Sequence, residues 1–206
     1  MSEVEKTTVE QILQAARSEF LEKGYKAAAL REISQKAGVT TGALYGYFKN
    51  KEDLFGSLVK EAYGHILYLY RNMLHSFSTL SPEEQRMRMG EYSARGMREM
   101  IAYMYEKREA FKLLLCCSEG TSYSDLVHDM VQMDVDATRN FQQVTSASGV
   151  PVQPVNSKLE PLLISGMFTT FFELIVQDIP QEEAQEYSSQ LLEFYSAGWA
   201  KVMGLS

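Results

Sequence analysis

Apolar residues recur every three or four positions along most of this chain, the period expected of helices that bury one face. The pattern is interrupted at residues that end or begin helices: Gly24, Gly38, the Ser81-Pro82 pair and a proline-containing loop at 146–157. The sequence carries no alternating strand pattern, internal repeat or low-complexity tract. We therefore predict an all-α protein of about nine helices, near residues 4–23, 30–37, 41–48, 51–77, 82–106, 108–117, 123–145, 158–177 and 181–203.

One stretch, residues 28–52, has the pattern of two short helices joined by a tight turn. Gly38 can adopt the left-handed conformation that ends a helix at little cost, and Thr40 is a good N-cap for the second helix. Leu44 and Phe48 fall on the face that we predict to join the core. Helix, glycine-containing turn and helix is the helix-turn-helix order, whose second helix enters the DNA major groove.

Residues on both sides of this motif match a known pattern at fixed offsets. The matching segments are Ile12–Ala16, Phe20–Tyr25, Arg31–Ile33, Ala37–Val39, Gly42–Phe48 and Lys51–Leu54. Together they resemble the N-terminal domain of the tetracycline-repressor (TetR) family of transcription regulators, over about the first quarter of the chain. One departure is Ala28 and Ala29, where the family often has Ser or Thr. It puts in question a helix cap worth about 1 kcal/mol and one phosphate contact.

The resemblance implies a DNA-binding domain with a helix-turn-helix at residues 1–52, followed by a helical ligand-binding and dimerisation domain at residues 53–206. It also implies that Tyr45 and Lys51 hold phosphates and that Arg31 reaches a guanine or a phosphate. Small side chains on the second helix let its backbone approach base edges, and hydroxyls at its start suit phosphate. The predicted DNA-contacting residues are Arg31, Thr40, Thr41, Gly42, Ala43, Tyr45, Tyr47, Lys49 and Lys51.

The charge distribution fits a protein that touches DNA at one end. The formal net charge of the whole chain is -7, which argues against a protein that coats nucleic acid along its length. Residues 24–51 nevertheless contain five basic side chains against the single acid Glu32. A local basic patch on an acidic body is the pattern expected of a DNA-binding regulator.

Other features of the sequence exclude several classes of site. The N-terminus lacks the basic start and apolar run of a signal peptide, and the most apolar stretch, residues 161–176, is too short to span a bilayer. Cys116 and Cys117 are adjacent and do not make a disulfide framework, and we expect both to be buried. The three histidines are scattered without ligand spacing. We expect a cytoplasmic protein without a metal or a cofactor.

Methionine and aromatic residues are frequent in the predicted fifth to eighth helices. By the family resemblance, an inducer sits among these helices; core packing is the alternative explanation for most of the same side chains. The candidate ligand-binding residues are Met97, Arg98, Tyr103, Met104, Phe111, Cys116, Tyr123, His128, Phe168 and Phe172. We expect an apolar or aromatic ligand, with a cation as the alternative because Glu119 and Asp125 lie near in sequence.

The last two predicted helices carry large apolar residues beside small ones. In the TetR family such helices pair between two copies as a four-helix bundle, so the resemblance implies a homodimer that binds a palindromic operator. Packing within a single chain is the alternative. The candidate interface residues are Gly166, Thr170, Leu191, Phe194, Tyr195, Gly198, Trp199 and Val202.

A dimeric repressor released from its operator by a small ligand fits the sequence best. A DNA-binding regulator controlled by a protein partner is the alternative, and the sequence hardly separates the two. An enzyme is not expected, because no acid–base pair, nucleophile or phosphate-binding glycine loop stands in a plausible arrangement.

Overall fold

The structure, a computed structural model, describes residues 3–205. Over this range the chain forms nine α-helices and no strand, which confirms the predicted all-α class. The helices are α1 (Glu3–Ala27), α2 (Leu30–Lys36), α3 (Thr41–Tyr47), α4 (Lys51–Ser78), α5 (Pro82–Glu106), α6 (Arg108–Cys116), α7 (Leu126–Ala147), α8 (Glu160–Val176) and α9 (Gln181–Met203). None of these described helices has the length and apolar character needed to cross a bilayer.

Two helix boundaries differ from the prediction for local reasons. The helical backbone of α1 is broken at Gly24, whose φ of 73° lies in the left-handed region, and one further turn follows before the chain enters α2. The predicted seventh helix starts three residues too early. Thr121 is the reason, because its hydroxyl accepts the N–H of Tyr123 at 3.1 Å and its carbonyl accepts that of Ser124 at 3.3 Å. These turn bonds replace helical ones at that point.

The described chain forms two compact units. Unit 1 contains the chain up to Gly64 and the segment Lys107–Leu126, so that α6 belongs with the first three helices. Its core includes Phe20 and Phe55, whose rings pack edge to face with their centroids 5.1 Å apart. The predicted boundary after residue 52 lies inside this unit, whereas the functional division into two domains stays a prediction.

Unit 2 contains His65–Glu106 and the chain from Val127 onwards. Here α5 packs against α9, and α8 also packs against α9. Gly96 permits a close approach of α5 to α4, because a Cβ at this position would lie 2.0 Å from the sulfur of Met73. Aromatic rings fill the core, among them Tyr70 and Phe168 with centroids 5.2 Å apart. Helix α4 belongs to both units: residues 51–64 lie in unit 1 and residues 65–78 lie in unit 2.

Candidate nucleic-acid interface and ligand cavity

The turn between α2 and α3 is built from local backbone chemistry. Gly38 has a φ of 69° and its N–H donates to the carbonyl of Gln35 at 3.1 Å, while the N–H of Val39 donates to that of Ser34 at 3.0 Å. Thr40 then caps α3 through a 3.1 Å hydrogen bond from the N–H of Ala43 to the Thr40 hydroxyl. These contacts match the predicted turn and cap. They orient α3 relative to α2 without any long-range contact.

One face of α3 is anchored in the core and the opposite face is open. Leu44 is fully buried and Phe48 nearly so, as predicted for both. Tyr45 and Tyr47 are 53% and 38% exposed. A Cβ added at Gly46 would meet no atom within 4 Å, so the surface beside the tyrosines is low and unobstructed. The structure thus presents backbone, small side chains and two phenols together, an arrangement that fits a groove of DNA.

Thr41 is used inside the motif. Its Oγ1 lies 3.0 Å from the Oγ of Ser34, which itself donates to the carbonyl of Arg31 at 2.9 Å. Because the Ser34 proton is engaged, Thr41 donates in this pair. The Thr41 hydroxyl therefore ties α3 to α2, and this geometry favours a positioning role over the predicted contact with DNA.

Lys51 also has a role other than the predicted one. Its ammonium donates to the carbonyls of Tyr25, Lys26 and Ala28 at 2.7, 3.2 and 3.0 Å, and lies 4.5 Å from the centre of the Tyr25 ring. An ammonium has three donors, so all are engaged. Burial lowers the pKa of Lys51. Lys51 thus holds the C-terminal end of α1 against the start of α4, and its predicted phosphate contact stays a prediction.

Most cations of the predicted basic patch likewise have partners within unit 1. Lys26 and Lys36 form salt bridges with acids of unit 1, and Lys51 is engaged with carbonyls. Arg31 and Lys49 are exposed and make no salt bridge within the described residues. These two side chains are the cations that remain free for phosphate beside α3.

Glu19 is a fully buried acid that the sequence analysis did not identify. Its two carboxylate oxygens accept from Lys23 and Lys36, each at 2.7 Å. Hydrogen bonds from Lys23 and then Lys36 lower the pKa of Glu19. Lys36 thereby links α2 to α1, whereas Lys23 lies one turn after Glu19 on α1 itself. Glu19 lies seven residues after the buried Ile12, and an acid on an apolar helical stripe was the available signal.

The segment 107–126 supports the helix-turn-helix within unit 1. The N–H of Tyr25 donates to the carbonyl of Cys117 at 2.9 Å, and the N–H of Ser122 donates to the carboxylate of Glu52 at 3.0 Å. Tyr123 packs so closely on α4 that a Cβ at Gly56 would lie 2.7 Å from its hydroxyl oxygen. This segment therefore connects α6 to the motif that we expect to contact DNA.

Three predicted ligand residues belong to this segment. Phe111 is fully buried in unit 1, and Tyr123 lies against Gly56, so neither lines a cavity in unit 2. Cys116 is exposed at the end of α6, whereas Cys117 is buried. The prediction that both cysteines are buried was therefore wrong for Cys116, because the apolar run that precedes it turns other side chains inwards.

Unit 2 contains a partly open cavity of about 150 Å³. Side chains from α4, α5, α7, α8 and α9 line it. Most are apolar or aromatic: Tyr70, Met73, Leu74, Phe77, Met89, Tyr92, Met97, Met100, Ala137, Phe141, Met167, Phe168, Leu192, Tyr195, Trp199 and Met203. The predicted ligand residues Met97 and Phe168 are among them.

The other predicted ligand residues in unit 2 do not line this cavity. Met104 and Phe172 are buried in the core, because they face inwards on their helices. Arg98 and His128 are exposed. The ring of Tyr103 lies 4.3 Å from that of His65. Helical periodicity separated inward from outward positions, but it did not show which inward positions border a void.

Asp134 is an acidic side chain in the wall of the cavity that the sequence analysis missed. The Tyr70 hydroxyl donates to its carboxylate. Burial, together with the charge of Glu160, raises the pKa of Asp134 to about 6. Asp134 stands four residues after the buried Met130 and seven before the buried Phe141, so its place on an apolar stripe was again the available signal.

The predicted dimerisation residues divide into two groups. Phe194 and Val202 are 71% and 37% exposed, and Gly166 and Gly198 are also exposed. Leu162, which the prediction omitted, is 69% exposed. This set forms an apolar face on α8 and α9 with no cover from the described chain.

The second group faces inwards. Tyr195 and Trp199 line the cavity, and the Tyr195 hydroxyl lies 3.2 Å from the Oγ1 of Thr170. Leu191 is half-buried. Tyr195 and Trp199 are half-buried and line the cavity, and their predicted place in a dimer interface stays a prediction.

Comparisons with known proteins agree with this geometry. Residues 12–58 match the family described as "Bacterial regulatory proteins, tetR family". The Transposon Tn10 TetC protein of Escherichia coli is 46% identical over 56 residues, which are 27% of this chain and 28% of that protein. The HTH-type transcriptional repressor KstR2 of Mycolicibacterium smegmatis is 25% identical over 134 residues, 65% of this chain and 58% of that protein.

Solved structures extend the likeness of fold beyond the N-terminal match. The regulator FadR from Bacillus subtilis, solved in complex with stearoyl-CoA, has a TM-score of 0.56 and 19% identity, covering 90% of this chain and 96% of that one. Among curated relatives, the chain spans between 26% and 58% of the length of the proteins that it matches. Their names describe regulators and not enzymes. Residues 12–58, which contain the turn and cap of α2 and α3, therefore match the DNA-binding region of the TetR family of bacterial regulatory proteins.

Proposed function

We propose that this chain is a DNA-binding transcriptional regulator that acts as a dimeric repressor and is released from its operator by a small ligand. The observation that carries the proposal is the open face of α3, which Leu44 and Phe48 fix from behind. Nothing in the described fold would cover that face, so it is available to a duplex. DNA is a cytoplasmic target in bacteria, and we accordingly propose a cytoplasmic location.

The exposed residues divide by chemistry into two kinds of DNA contact. Gly42, Ala43 and Tyr47 lie where α3 is low and are suited to base edges, including the methyl group of thymine. The remaining cations Arg31 and Lys49, with the hydroxyls of Thr40 and Tyr45, are suited to phosphates. Thr41 and Lys51 hold these residues in place through their contacts with α2 and α1.

A homodimer is supported by the uncovered apolar face on α8 and α9. A side chain as large as Phe194 is costly to leave in water, and the nearby Gly166 and Gly198 would allow two helices to approach closely. A two-fold axis through this face gives each copy the same contacts. It would present two α3 helices to half-sites about one helical turn, or ~34 Å, apart.

Control by a small ligand is supported by the cavity in unit 2. A ligand can change operator affinity only if it binds one arrangement of the protein better than another, and α4 provides continuous helix from the head into unit 2. Coupling of about 1–3 kcal/mol would change operator affinity by about 5- to 150-fold. FadR was solved with stearoyl-CoA; the cavity here, of about 150 Å³, is suited to a much smaller molecule.

The test is the effect of Tyr47→Ala on binding to an operator that the protein has itself selected from random duplexes. We expect the preference for that operator over a scrambled duplex to fall by about 1–3 kcal/mol, because a base contact is lost. Tyr68→Ala is the matched control, since Tyr68 is 55% exposed on α4 and lies outside unit 1. If Tyr47→Ala leaves both affinity and preference unchanged, the proposed reading face is wrong.

A further inference from the structure

The cavity in unit 2 contains one feature that an apolar ligand site does not need. Among its described lining residues, Asp134 is the sole carboxylate, and none is Lys, Arg or His. The carboxylate therefore has no counter-charge in the wall that surrounds it. A buried charge without a partner is costly, so it is retained in a folded protein only where something compensates it.

We propose that this cavity binds a small organic cation with a single aromatic ring, and that the positively charged nitrogen of that ligand lies against the Asp134 carboxylate. The inference rests on the proposed function in taking this cavity as the effector site. It adds to that function the chemical class of the effector and the residue that selects it.

The aromatic lining supports a cation as strongly as the carboxylate does. Tyr70, Phe77, Tyr92 and Trp199 contribute rings to the wall, and the faces of such rings attract cations, more strongly where water is excluded. The volume of about 150 Å³ suits one ring rather than an extended chain. A neutral arene would fill the same space and leave Asp134 without compensation.

An anionic ligand is disfavoured by the charges on the surrounding elements. On α8, the buried Glu160 acts on Asp134 as a second negative charge, and it is paired with Arg139 of α7 at 3.1 Å. On α5, Arg88 and Arg95 stack on the Tyr92 ring, with the guanidinium carbons 5.2 and 5.0 Å from its centre.

Those two guanidinium groups do not line the cavity, and each is matched by a neighbouring acid. Arg88 pairs with Glu91 at 2.9 Å, and Arg95 lies 3.9 Å from Glu99. They therefore leave the negative charge of the interior in place. A carboxylate ligand would meet Asp134 without a cation beside it.

The protonation state of Asp134 gives the site a pH dependence. The groups that face it from the packed elements are Tyr70 of α4, Tyr92 of α5, Glu160 of α8 with its partner Arg139, and Tyr195 of α9. The pKa of Asp134 is raised to about 6 by burial, whereas that of Tyr70 is raised well above its usual value, so the carboxyl titrates alone near neutrality. Above about pH 6 the carboxylate is charged and ready for a cation; below it, the cation loses its partner.

The experiment compares two probes of the same shape by calorimetry on the purified protein without DNA. Benzyltrimethylammonium carries a fixed positive charge, and neopentylbenzene is its neutral counterpart. We expect the cation to bind roughly tenfold or more tightly at about pH 8, since it gains both the carboxylate and the ring faces. Its affinity should fall about tenfold per pH unit below about pH 6, while that of the neutral probe stays constant.

Three variants identify the residue responsible. Asp134→Asn should abolish the fall of cation affinity below about pH 6 and reduce the preference for the cation to the part that the ring faces supply, because the amide still accepts from Tyr70 but carries no charge. Asp136→Asn, an equal change of charge at an exposed position of α7, should keep the preference of the parent protein. Tyr70→Phe should keep the preference and move the loss of cation binding to higher pH, because the hydroxyl that stabilises the carboxylate is removed.

Other outcomes would overturn the inference. Equal binding of the two probes to the parent protein would make the cavity a neutral apolar site. Tighter binding of phenylacetate than of the cation would show that the cavity prefers an anion. If the folded protein bound none of the probes, the cavity would not be a ligand site. Because the assay contains no DNA, each of these results would leave the proposed binding to an operator unaffected.

Discussion

The two units of this protein treat their buried acids in opposite ways. In unit 1, Glu19 is fully buried and two lysines compensate it, which lowers its pKa. In unit 2, Asp134 is half-buried without a cation in the wall of its cavity, and its pKa is raised to about 6. The first arrangement fixes one helix against another. The second leaves a charge that a further molecule can compensate.

The same difference extends to apolar surface. Unit 1 exposes Tyr45 and Tyr47 beside small side chains, as a surface for a polar partner requires. Unit 2 leaves Phe194 and Leu162 largely exposed. Unit 1 thus compensates its buried acid, whereas unit 2 has both a carboxylate without a cation in the wall of its cavity and an uncovered apolar face. The following predictions test that contrast.

The largest effect is expected where unit 2 is incomplete. Phe194→Glu would place a charge on the proposed dimer interface and should weaken dimerisation at least about thirtyfold, or about 2 kcal/mol. Sedimentation equilibrium measures the change. Met87→Glu is the matched control, because Met87 is 70% exposed on α5, a helix that carries none of the predicted interface residues. A parent protein that sediments as a monomer at micromolar concentration would contradict the proposed dimer.

A second prediction uses the cost of the unmatched acid. Since the folded-state pKa of Asp134 lies above the unfolded one, its ionisation opposes folding, and stability is lost as pH rises from about 4 to about 6. Asp134→Asn should therefore raise the free energy of unfolding by about 1–3 kcal/mol at about pH 8 and change it little at about pH 4. Urea denaturation at the two pH values measures this. A destabilised variant at the higher pH would show that Asp134 is compensated after all.

Glu19 should behave in the opposite sense. Its pKa is lowered on folding, so its contribution is present above the unfolded pKa and is lost as pH falls below about 4. We expect Glu19→Gln to destabilise the protein by about 1–2 kcal/mol near neutral pH, because the partly solvated lysines lose their shared acceptor. The difference from the parent should shrink in acid. If Glu19→Gln left the free energy of unfolding at pH 7 unchanged, Glu19 would not stabilise the packing of α2 against α1.

The parts of this structure that could be predicted from sequence are those set by local chemistry. Gly38 and Thr40, which were predicted to form the turn and the cap, act within a few residues of themselves, and Asn50 likewise accepts the N–H of Asp53 at 2.8 Å. Apolar periodicity likewise predicted the all-α class and the burial of Leu44 and Phe48.

What could not be predicted depends on partners that are distant in sequence. Lys51 bonds to a carbonyl 26 residues away, and Lys36 reaches Glu19 across 17. Composition counted these lysines as a basic patch, although the fold engages them internally. The cavity is a second case, because Trp199 and Asp134 border it through the packing of separate helices. Periodicity gives the inward face of a helix but not the void between several of them.

The smallest effect separates two neighbouring lysines in unit 1. Lys51→Ala should reduce stability by about 1–2 kcal/mol, because three carbonyls lose a donor. Lys49→Ala should leave stability unchanged and reduce the salt dependence of DNA binding by about one counterion. Thermal unfolding and binding at a series of salt concentrations test both. If Lys51→Ala had the thermal stability of the parent protein and a reduced salt dependence of DNA binding, Lys51 and not Lys49 would be the residue that contacts phosphate.

The most direct test of the account is the selection of DNA by the purified protein from a pool of random duplexes. A dimer that reads DNA with α3 should enrich a two-fold-symmetric sequence whose half-sites lie about one helical turn apart, ~34 Å between centres. The Tyr47→Ala variant should enrich a different or weaker pattern. Recovery of no common sequence, or of one that Tyr47→Ala selects equally well, would contradict the claim that the open face of α3 reads an operator.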